Sequence, residues 1–479
     1  MSETVLEKHS TQKNSSLETA PKENIHQCLP SSGTVSPLSL RHNISYAFIG
    51  NLTFAACQWG LIVLFARLGG PEIVGAYVLA LAVCNPVFMF CSLELRTLLA
   101  TDTNNLYSFS DYLRLRILAV SLAIFLSIIV GVLFQTDSFV LSIVVIVAVI
   151  KSFEWILDIL YGLWQKLERL DTVGRSACLH GLTDILSASI AMYFTQDLRL
   201  ALAAYLLSHV FFMAVYDIPS LRQLRSSLNR EIPTSSISGA IKRSFSTTSR
   251  NMLKRLTWVG LPLAGTSMFV SLTTCTPRLV LSQWGTLFEV GILGSIASLN
   301  LCGGIIARAV NAALSSQLAK SLQQKDVRRF RRLLLKTGGI YVAIACVGLL
   351  VAYLIGDQLL SFIFGFKSSY SMILIFVLIG MLFSMLSNLV HLSLITVRWL
   401  SALLPLSMLT WLWTAIFCLL LVPRLGIQGA AISIALSRFP YCCLGAVCVH
   451  IRLKKIRSAA NIETKNLNLH KISFLKKAG

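Results

Sequence analysis

The stretch VAVIKSFEWILDILYGLW, residues 147–164, is long and apolar enough to fill most of a membrane-spanning helix, yet it carries Lys151, Glu154 and Asp158. A helix needs about 20 mostly apolar residues to cross a bilayer. Such runs recur along the 479 residues, of which 55% are hydrophobic and only 13% charged. The sequence therefore predicts a multi-pass membrane protein.

Twelve apolar runs predict an all-α membrane protein. They lie at 42–66, 73–95, 117–135, 139–163, 173–194, 198–216, 256–281, 290–315, 337–356, 369–392, 400–422 and 427–450. An even number of helices places both termini on one side. If that side is cytoplasmic, 34 of the 42 Lys and Arg residues lie in the two tails and the inner loops, and only four lie in the outer loops. This asymmetry follows the positive-inside rule.

The net charge of +21 is explained by this orientation. Basic segments beside membrane helices contact anionic lipid headgroups. No motif that reads nucleic acid accompanies the charge, so we expect anionic membrane lipids and no nucleic acid as partners. The 12 cysteines lack metal-ligand spacing, and no nucleotide fingerprint is present, so we expect no cofactor and no metal.

The longest connection between predicted helices, residues 217–255, is rich in Ser and basic residues and divides the helices six and six. It predicts a cytoplasmic linker between an N-lobe at 39–216 and a C-lobe at 256–450. Residues 1–38 predict a disordered cytoplasmic tail, and residues 451–479 a basic one.

Two similar segments indicate an internal duplication. PEIVGAYVLALAVCN (71–85) begins the second helix of the first half, and LFEVGILGSIASLN (287–300) begins the second helix of the second half. The similarity favours two lobes of the same architecture.

Depth in the membrane decides which charges need a partner. At a rise of ~1.5 Å per residue, Lys151 lies ~18 Å from the inner end of helix 4, near the bilayer centre. Glu154 and Asp158 share its helix face by their i, i+3, i+7 spacing. Helix 5 runs back and carries Asp184 and His180 at matching depths. We therefore predict that Lys151 pairs with Asp184, and that Glu154 and Asp158 bracket His180.

These five residues allow two interpretations. Lys151 and Asp184 can form a structural ion pair that fixes helix packing. Alternatively, Glu154 and Asp158 with His180 can form a cation or proton relay facing a cavity. His180 alone also fits a buried histidine whose hydrogen bonds are satisfied.

The C-lobe differs because its deep charges are arginines. Arg438 lies ~17 Å from the outer end of helix 12, and the lobe offers it no carboxylate inside a predicted helix. Arg278 and Arg308 lie nearer to helix ends, where an arginine can instead extend its guanidinium into the headgroup region. Guanidinium donors suit phosphate oxygens, so Arg278, Arg438 and Arg308 are candidate residues for binding an anionic substrate.

Polar amides lie in the same membrane region. Asn51 and Gln58 on helix 1 and Asn300 on helix 8 are candidate residues for hydrogen bonds to a polar substrate. Hydrogen bonding between helices is the alternative role, since membrane helices use Asn and Gln in that way.

Three stretches resemble a known family. FARLGGPEIVGAYVLALAVCNPVFMFCSLELRTLLATD (65–102), TPRLVLSQWGTLFEVGILG (276–294) and VPRLGIQGAAISIALS (422–437) are similar to the polysaccharide-biosynthesis flippases of the Wzx type. These belong to the superfamily that also contains the multidrug MATE exporters and the lipid II flippase. The resemblance covers residues from about 40 to 455.

The resemblance implies two six-helix bundles around a central cavity and transport by alternating access. It also implies a bacterial inner-membrane location, and a substrate of undecaprenyl-pyrophosphate-linked oligosaccharide destined for O-antigen lipopolysaccharide, capsule or exopolysaccharide. For that substrate we predict that Arg278, Arg438 and Arg308 bind the pyrophosphate and that Asn51, Gln58 and Asn300 bind the sugars. Polysaccharide assembly proteins are the further partners that the resemblance implies.

Two other functions compete with this one. A MATE-like cation-coupled multidrug exporter would need acids, rather than arginines without acidic partners, around its drug site. A membrane glycan polymerase or ligase would need a sizeable outer loop, whereas the longest outer connection here spans about a dozen residues. We therefore expect a transporter and not an enzyme.

Overall fold

In a computed structural model of the chain, the described residues are 40–102, 106–134, 137–222, 247–324, 326–366, 368–456 and 458. They form helices joined by short turns, and no strand occurs among them. The predicted tail at 1–38 and most of the predicted linker lie outside the described residues. Helices occupy the two described ends of that linker, 217–222 and 247–255.

The helices follow the apolar runs closely. In chain order they are α1 (Leu40–Cys91), α2 (Leu95–Thr101), α3 (Phe109–Phe134), α4 (Ser138–Lys166), α5 (Leu170–Thr195), α6 (Leu198–Phe212), α7 (Thr247–Trp284), α8 (Leu287–Ser298), α9 (Asn300–Gln323), α10 (Val327–Phe364), α11 (Ser371–Thr396) and α12 (Leu403–Ser437). A π-helical turn, Met213–Asp217, extends α6. A last helix, α13, covers residues 439–456.

Two helical stretches are each long enough to cross a membrane twice. Ser45–Thr101 and Leu400–Ile456 contain 57 residues each. At ~1.5 Å per residue they measure ~85 Å, well over twice a ~30 Å bilayer core. Each is broken at a glycine with positive φ, Gly70 (φ 78°) and Gly426 (φ 54°). The ten membrane-spanning candidates in the described part therefore make twelve crossings, which confirms the predicted all-α fold class.

Helix α1 lies at the centre of the molecule. It packs against α3, α4 and α5 of its own lobe and against α7 and α8 of the other. Its most apolar window is 67% buried within the protein, compared with 17% for the span Val327–Phe364 that forms α10. The exposed apolar side chains of α10 therefore face lipid.

The two lobes meet at the end of the bundle that contains Gly70 and Gly426, which we call the kink end. A Cβ added to Gly75 would lie 2.1 Å from the carbonyl oxygen of Leu287, and a Cβ added to Gly291 would lie 1.8 Å from that of Pro71. The two contacts are equivalent. In each lobe one carbonyl oxygen, that of Pro71 or Leu287, contacts the glycine of the other lobe. In each lobe that residue also precedes the lobe's own glycine, Gly75 or Gly291, by four positions. The duplicated segments are therefore packed against each other by a local two-fold relation.

Further contacts close the kink end. The Arg67 Nε–H donates to the Ile363 carbonyl at 2.9 Å. The Gln283 side chain donates to the Phe134 carbonyl at 2.8 Å. Both bonds join the two lobes.

The lobes also meet at the opposite end, where α1 begins, which we call the tail end. Leu93 and Glu94 join α1 to α2 with positive φ values of 50° and 49°. A Cβ added to Gly260 of α7 would lie 2.5 Å from the Leu93 carbonyl oxygen. The Ser267 hydroxyl donates to Glu94 Oε1 at 2.6 Å. The strained link thus touches the C-lobe directly.

Candidate functional site

A cavity of about 270 Å³ opens among α1, α2, α4, α5 and α6 of the N-lobe. Its wall combines aromatic side chains with amides and charges. It is lined by Asn51, Phe54, Asn85, Met89, Arg96, Lys151, Glu154, Trp155, Leu157, Asp158, Tyr161, Ala177 and His209. The face of α4 that carries Lys151, Glu154 and Asp158 therefore points into this cavity, as their spacing predicts.

The predicted pairing of Lys151 with Asp184 is wrong. The Lys151 ammonium donates to Glu154 Oε2 at 2.7 Å, one turn along the same helix. Glu154 also accepts from the Tyr205 hydroxyl at 3.0 Å. Equal depth on neighbouring helices does not ensure contact, and a carboxylate at i+3 is already within reach of a lysine.

Asp158 is held by two arginines that the sequence analysis did not assign to it. Arg96 Nη1 lies 3.1 Å from Asp158 Oδ1, and Arg116 Nη2 lies 3.3 Å from Oδ2. The Arg116 side chain is only 1% exposed, and its guanidinium lies over the Trp155 ring at 5.2 Å. Asp158 is therefore the carboxylate that compensates a fully buried cation, and it does not contact His180 as predicted.

His180 and Asp184 belong to a separate buried cluster. His180 Nε2 lies 2.7 Å from Asp217 Oδ2, and His209 Nδ1 lies 2.7 Å from Asp184 Oδ2. The two imidazole rings are 4.2 Å apart between centroids. The prediction that Glu154 and Asp158 bracket His180 is thus wrong, because α6 supplies the closer partners.

Arg278 lies in α7, and Arg438, which directly follows α12, packs against the same helix. Arg438 Nη2 reaches the Val270 carbonyl and the Thr274 hydroxyl, each at 3.4 Å. Arg278 follows Thr274 by four residues, which places it one turn further on a neighbouring face of α7. Its Nε is buried without a hydrogen-bond partner. The structure therefore brings two of the three predicted pyrophosphate ligands to adjacent turns of α7.

The carboxylates of the C-lobe are used in capping. Glu289 forms a capping box with Thr286 at the start of α8. Asp326 accepts from the Arg329 N–H at the start of α10. Asp357 accepts from the N–H groups of Tyr370 and Ser371. Within the described residues, therefore, no carboxylate pairs with Arg278 or Arg438.

The remaining predicted residues are more dispersed. The Asn51 amide lines the N-lobe cavity but donates to Ala47 of its own helix at 2.8 Å. The Gln58 amide donates to the Tyr205 hydroxyl at 2.9 Å, which is a bond between helices. Asn300 begins α9 with a buried Oδ1 that has no hydrogen-bond partner. Arg308 is exposed on α9, and its Nη1 is the atom nearest to a Cβ added at Gly304.

Sequence reasoning missed His209, Asp217 and Arg116. The contact between His209 and Asp184 could have been predicted. The two residues lie about equally far from the short turn at Gln196 and Asp197, which places them at the same depth on neighbouring helices. Arg116 was assigned to a polar loop, but α3 begins already at Phe109 and carries it into the bundle.

No protein-family model matches the chain. The chain is 29% identical over 403 residues to CapF, a capsular polysaccharide biosynthesis protein of Staphylococcus aureus, covering 83% of this chain and 96% of the relative.

Solved structures match over most of their length. A MATE multidrug transporter in an inward-facing conformation gives a TM-score of 0.64 at 14% identity, with 86% of this chain and 99% of that chain covered. The chain has the fold of the MOP superfamily. The lipid II flippase MurJ in its inward closed conformation gives a TM-score of 0.65 at 14% identity over 89% of this chain and 93% of MurJ.

A third similar structure is also from the MOP superfamily. It is a transporter from Pyrococcus furiosus, described by the reverse polarity of its binding pocket, with a TM-score of 0.58 at 16% identity and 87% of this chain and 96% of that chain covered. Together these relatives confirm the resemblance to transporters of the MOP superfamily, with a capsular polysaccharide biosynthesis protein among the similar sequences. The chain is a multi-pass membrane protein of this fold.

Proposed function

We propose that the protein is a flippase for undecaprenyl-pyrophosphate-linked oligosaccharides and that it works by alternating access between its two lobes. The substrate combines a hydrocarbon tail, a di-anionic pyrophosphate and a polar glycan. Each part requires a different surface of a membrane protein. The pyrophosphate is the most demanding part, because its negative charges must be compensated within the membrane.

The observation that carries the proposal is the cationic face of α7. Arg438 contacts one carbonyl and one hydroxyl of α7, each at 3.4 Å, and the Arg278 Nε is buried without a hydrogen-bond partner. No described carboxylate forms an ion pair with either arginine. A cation inside a membrane helix bundle without an acidic partner costs free energy unless a ligand compensates its charge. Guanidinium groups present several N–H donors in a plane and bind phosphate oxygens in pairs.

The N-lobe cavity supplies a second surface. Its lining mixes Trp155, Tyr161 and Phe54 with the amides of Asn51 and Asn85. Aromatic faces with nearby hydrogen-bonding groups suit the apolar and polar sides of a sugar ring. We assign the glycan to this cavity and the pyrophosphate to α7.

We place the protein in the bacterial cytoplasmic membrane with both termini in the cytoplasm. The distribution of Lys and Arg supports this orientation, in which the tail end is cytoplasmic. The kink end then faces outward and is closed by the contact between Gly75 and Gly291. Anionic lipids at the tail end and polysaccharide assembly proteins are the partners we propose.

The test is outer-leaflet delivery in cells that depend on this protein. Replacing the native copy by Arg438→Ala should reduce the lipid-linked glycan that a membrane-impermeant label detects on spheroplasts by at least roughly tenfold, the equivalent of 1.4 kcal/mol. The untransported glycan lipid should accumulate on the inner leaflet. Arg438→Lys should have an intermediate effect, because an ammonium keeps the charge but loses the paired donors.

A matched control is Arg328→Ala, which removes an exposed cation from the first turn of α10. It should leave delivery unchanged. If Arg438→Ala delivers glycan as the wild type does at equal protein abundance, the pyrophosphate role of α7 is wrong.

A further inference from the structure

A second cavity lies on the lipid-facing side of the C-lobe, between residues 331–342 of α10, 386–393 of α11 and 442–453, mostly in α13. We call it the C-lobe groove. Its volume of about 480 Å³ is larger than that of the N-lobe cavity and falls within the usual range for ligand sites. The proposed handling of pyrophosphate and glycan does not use it.

The C-lobe groove exists because α10 lacks side chains on one side. Gly338 and Gly339 both line it, and nothing lies within 4 Å of a Cβ added to Gly339. Leucines and valines of α10 and α11 form much of the remaining wall, and α13 contributes the small residue Ala446. The glycine pair therefore leaves an apolar space that suits a hydrocarbon chain.

Depth in the membrane places the C-lobe groove in a single leaflet. The predicted apolar runs have their tail-end limits at residue 337 in α10 and residue 450 in α13. At ~1.5 Å per residue, Val342 lies ~8 Å and Cys442 ~12 Å inside those limits. Half of a ~30 Å hydrocarbon core is ~15 Å. The apolar part of the groove therefore ends before the bilayer centre.

The mouth of the C-lobe groove is basic. Arg331 of α10 and His450 of α13 both line it. Arg331 is exposed and precedes residue 337 by six positions, which places it ~9 Å outside the hydrocarbon core, at the depth of the headgroups. The ion pairs among the described residues all lie in the N-lobe, so no described carboxylate neutralises Arg331. The mouth therefore suits an anionic headgroup.

The shape of the groove favours a phospholipid over the transported substrate. A phospholipid of the tail-end leaflet places a headgroup at the mouth and an acyl chain beside the glycines without leaving that leaflet. An undecaprenyl chain is much longer than the apolar part of the groove. The α10 span is only 17% buried within the protein, so the groove is also open to the surrounding lipid.

We propose that the C-lobe groove binds one anionic phospholipid of the cytoplasmic leaflet, with its headgroup at Arg331 and His450 and one acyl chain along Gly338 and Gly339. This gives the anionic lipids proposed at the tail end a defined site. The inference rests on the proposed orientation of the tail end, but on neither the substrate nor the arginines at α7. The bound chain fills the gap between α10 and α13 and stabilises their packing.

The test is lipid binding by the purified full-length protein in detergent after its native lipids have been removed. Phosphatidylglycerol and phosphatidylcholine with identical acyl chains are added, and bound lipid is counted by native mass spectrometry. The wild type should bind one phosphatidylglycerol per chain about fivefold more tightly than phosphatidylcholine, because basic groups attract the anionic headgroup. Phosphatidylglycerol should also raise the thermal midpoint of the wild type, and this measurement needs no variant.

Two variants test the two ends of the groove. Gly339→Leu fills the space for the acyl chain and should weaken phosphatidylglycerol binding at least roughly tenfold. Its leucine replaces an exposed helical glycine, so folding should be retained. Arg331→Ala should weaken binding of phosphatidylglycerol by about fivefold and make the two lipids bind alike.

Matched controls lie on the same helix. An added Cβ at Gly348 also has nothing within 4 Å, and Arg328 is also an exposed cation, yet neither residue lines the groove. Gly348→Leu and Arg328→Ala should bind phosphatidylglycerol as the wild type does.

Three results would overturn the proposal. They are equal binding of the two lipids by the wild type, unchanged binding by folded Gly339→Leu, and displacement of bound phosphatidylglycerol by an equal concentration of undecaprenyl phosphate. The last would assign the groove to the carrier lipid of the substrate. Glycan delivery by Arg438→Ala is a separate result, since Arg438 does not line the groove.

Discussion

The two lobes share an architecture but treat charge in opposite ways. The ion pairs found among the described residues all lie between Arg96 and Asp217, in the N-lobe. The C-lobe carboxylates cap helices instead and leave Arg278 and Arg438 without acidic partners. Two lobes of similar architecture can therefore differ in charge. The N-lobe pairs its buried cations with carboxylates, whereas the C-lobe keeps cations without acidic partners, which are available to a ligand.

The largest effect should come from breaking the N-lobe pairing at its most buried cation. Asp158→Asn removes the carboxylate that faces Arg116 and Arg96. An uncompensated buried charge costs about 3–5 kcal/mol, so the variant should lose that much stability in a denaturant titration in detergent micelles. Adding Arg116→Met should recover at least half of the loss. A stability within about 1 kcal/mol of the wild type for Asp158→Asn alone would contradict a compensating role.

The next effect concerns the junction where the lobes are related by symmetry. Gly291→Ala places a Cβ against the Pro71 carbonyl, and Gly75→Ala places one against Leu287. Either should prevent closure at the kink end and reduce glycan delivery by at least roughly tenfold, or 1.4 kcal/mol. Because both substitutions block the same contact between the lobes, the double variant should reduce glycan delivery little more than either single substitution does.

Gly348→Ala is the control for these substitutions, since nothing lies within 4 Å of an added Cβ there. It should leave delivery and abundance unchanged. Normal delivery by Gly291→Ala would show that closure of the kink end does not require the close contact between Gly291 and the Pro71 carbonyl.

A third experiment would make the C-lobe resemble the N-lobe. Thr274→Glu puts a carboxylate beside the Arg438 guanidinium, which the Thr274 hydroxyl now faces at 3.4 Å. The thermal midpoint in detergent should rise because the arginine gains a partner, while delivery should fall about three- to tenfold because the pyrophosphate loses one.

Thr266→Glu provides the comparison on the same helix. Thr266 is half-buried, and its hydroxyl donates one turn back to the Pro262 carbonyl, as expected for a threonine in a membrane helix. Its substitution should affect delivery less than that of Thr274. Equal effects at the two positions would mean that Arg438 is not the cause.

The smallest effect should be the same in both lobes. Gln58→Leu removes the bond to Tyr205 in the N-lobe, and Thr276→Val removes the acceptor for the Trp411 indole N–H in the C-lobe, at 3.2 Å. Neutral hydrogen bonds contribute about 1 kcal/mol wherever they lie. Each variant should therefore lose about that amount in the same denaturant titration, and a clear difference between the lobes would show that they differ in more than charge.

The sequence predicted the helices well and their side-chain partners poorly. Apolar length located the crossings, since a bilayer imposes a minimum number of residues on each. Depth matching failed for Lys151 because it measures position along the membrane normal and contains nothing about rotation about the helix axis. The same method, applied to His209, would have found Asp184, since the short turn between α5 and α6 fixes those two helices side by side.

Amino-acid order by itself determined the membrane fold, the duplicated lobes and the contrast between an acidic N-lobe and a C-lobe whose deep charges are arginines. These follow from hydropathy, internal similarity and composition, which are properties of the chain. Only the tertiary structure decided that Asp158 compensates Arg116, that Gly75 and Gly291 meet across the lobes, and that two histidines share one buried cluster. Such contacts depend on how each helix is rotated and how closely two backbones approach, and those are fixed by packing between segments far apart in the sequence.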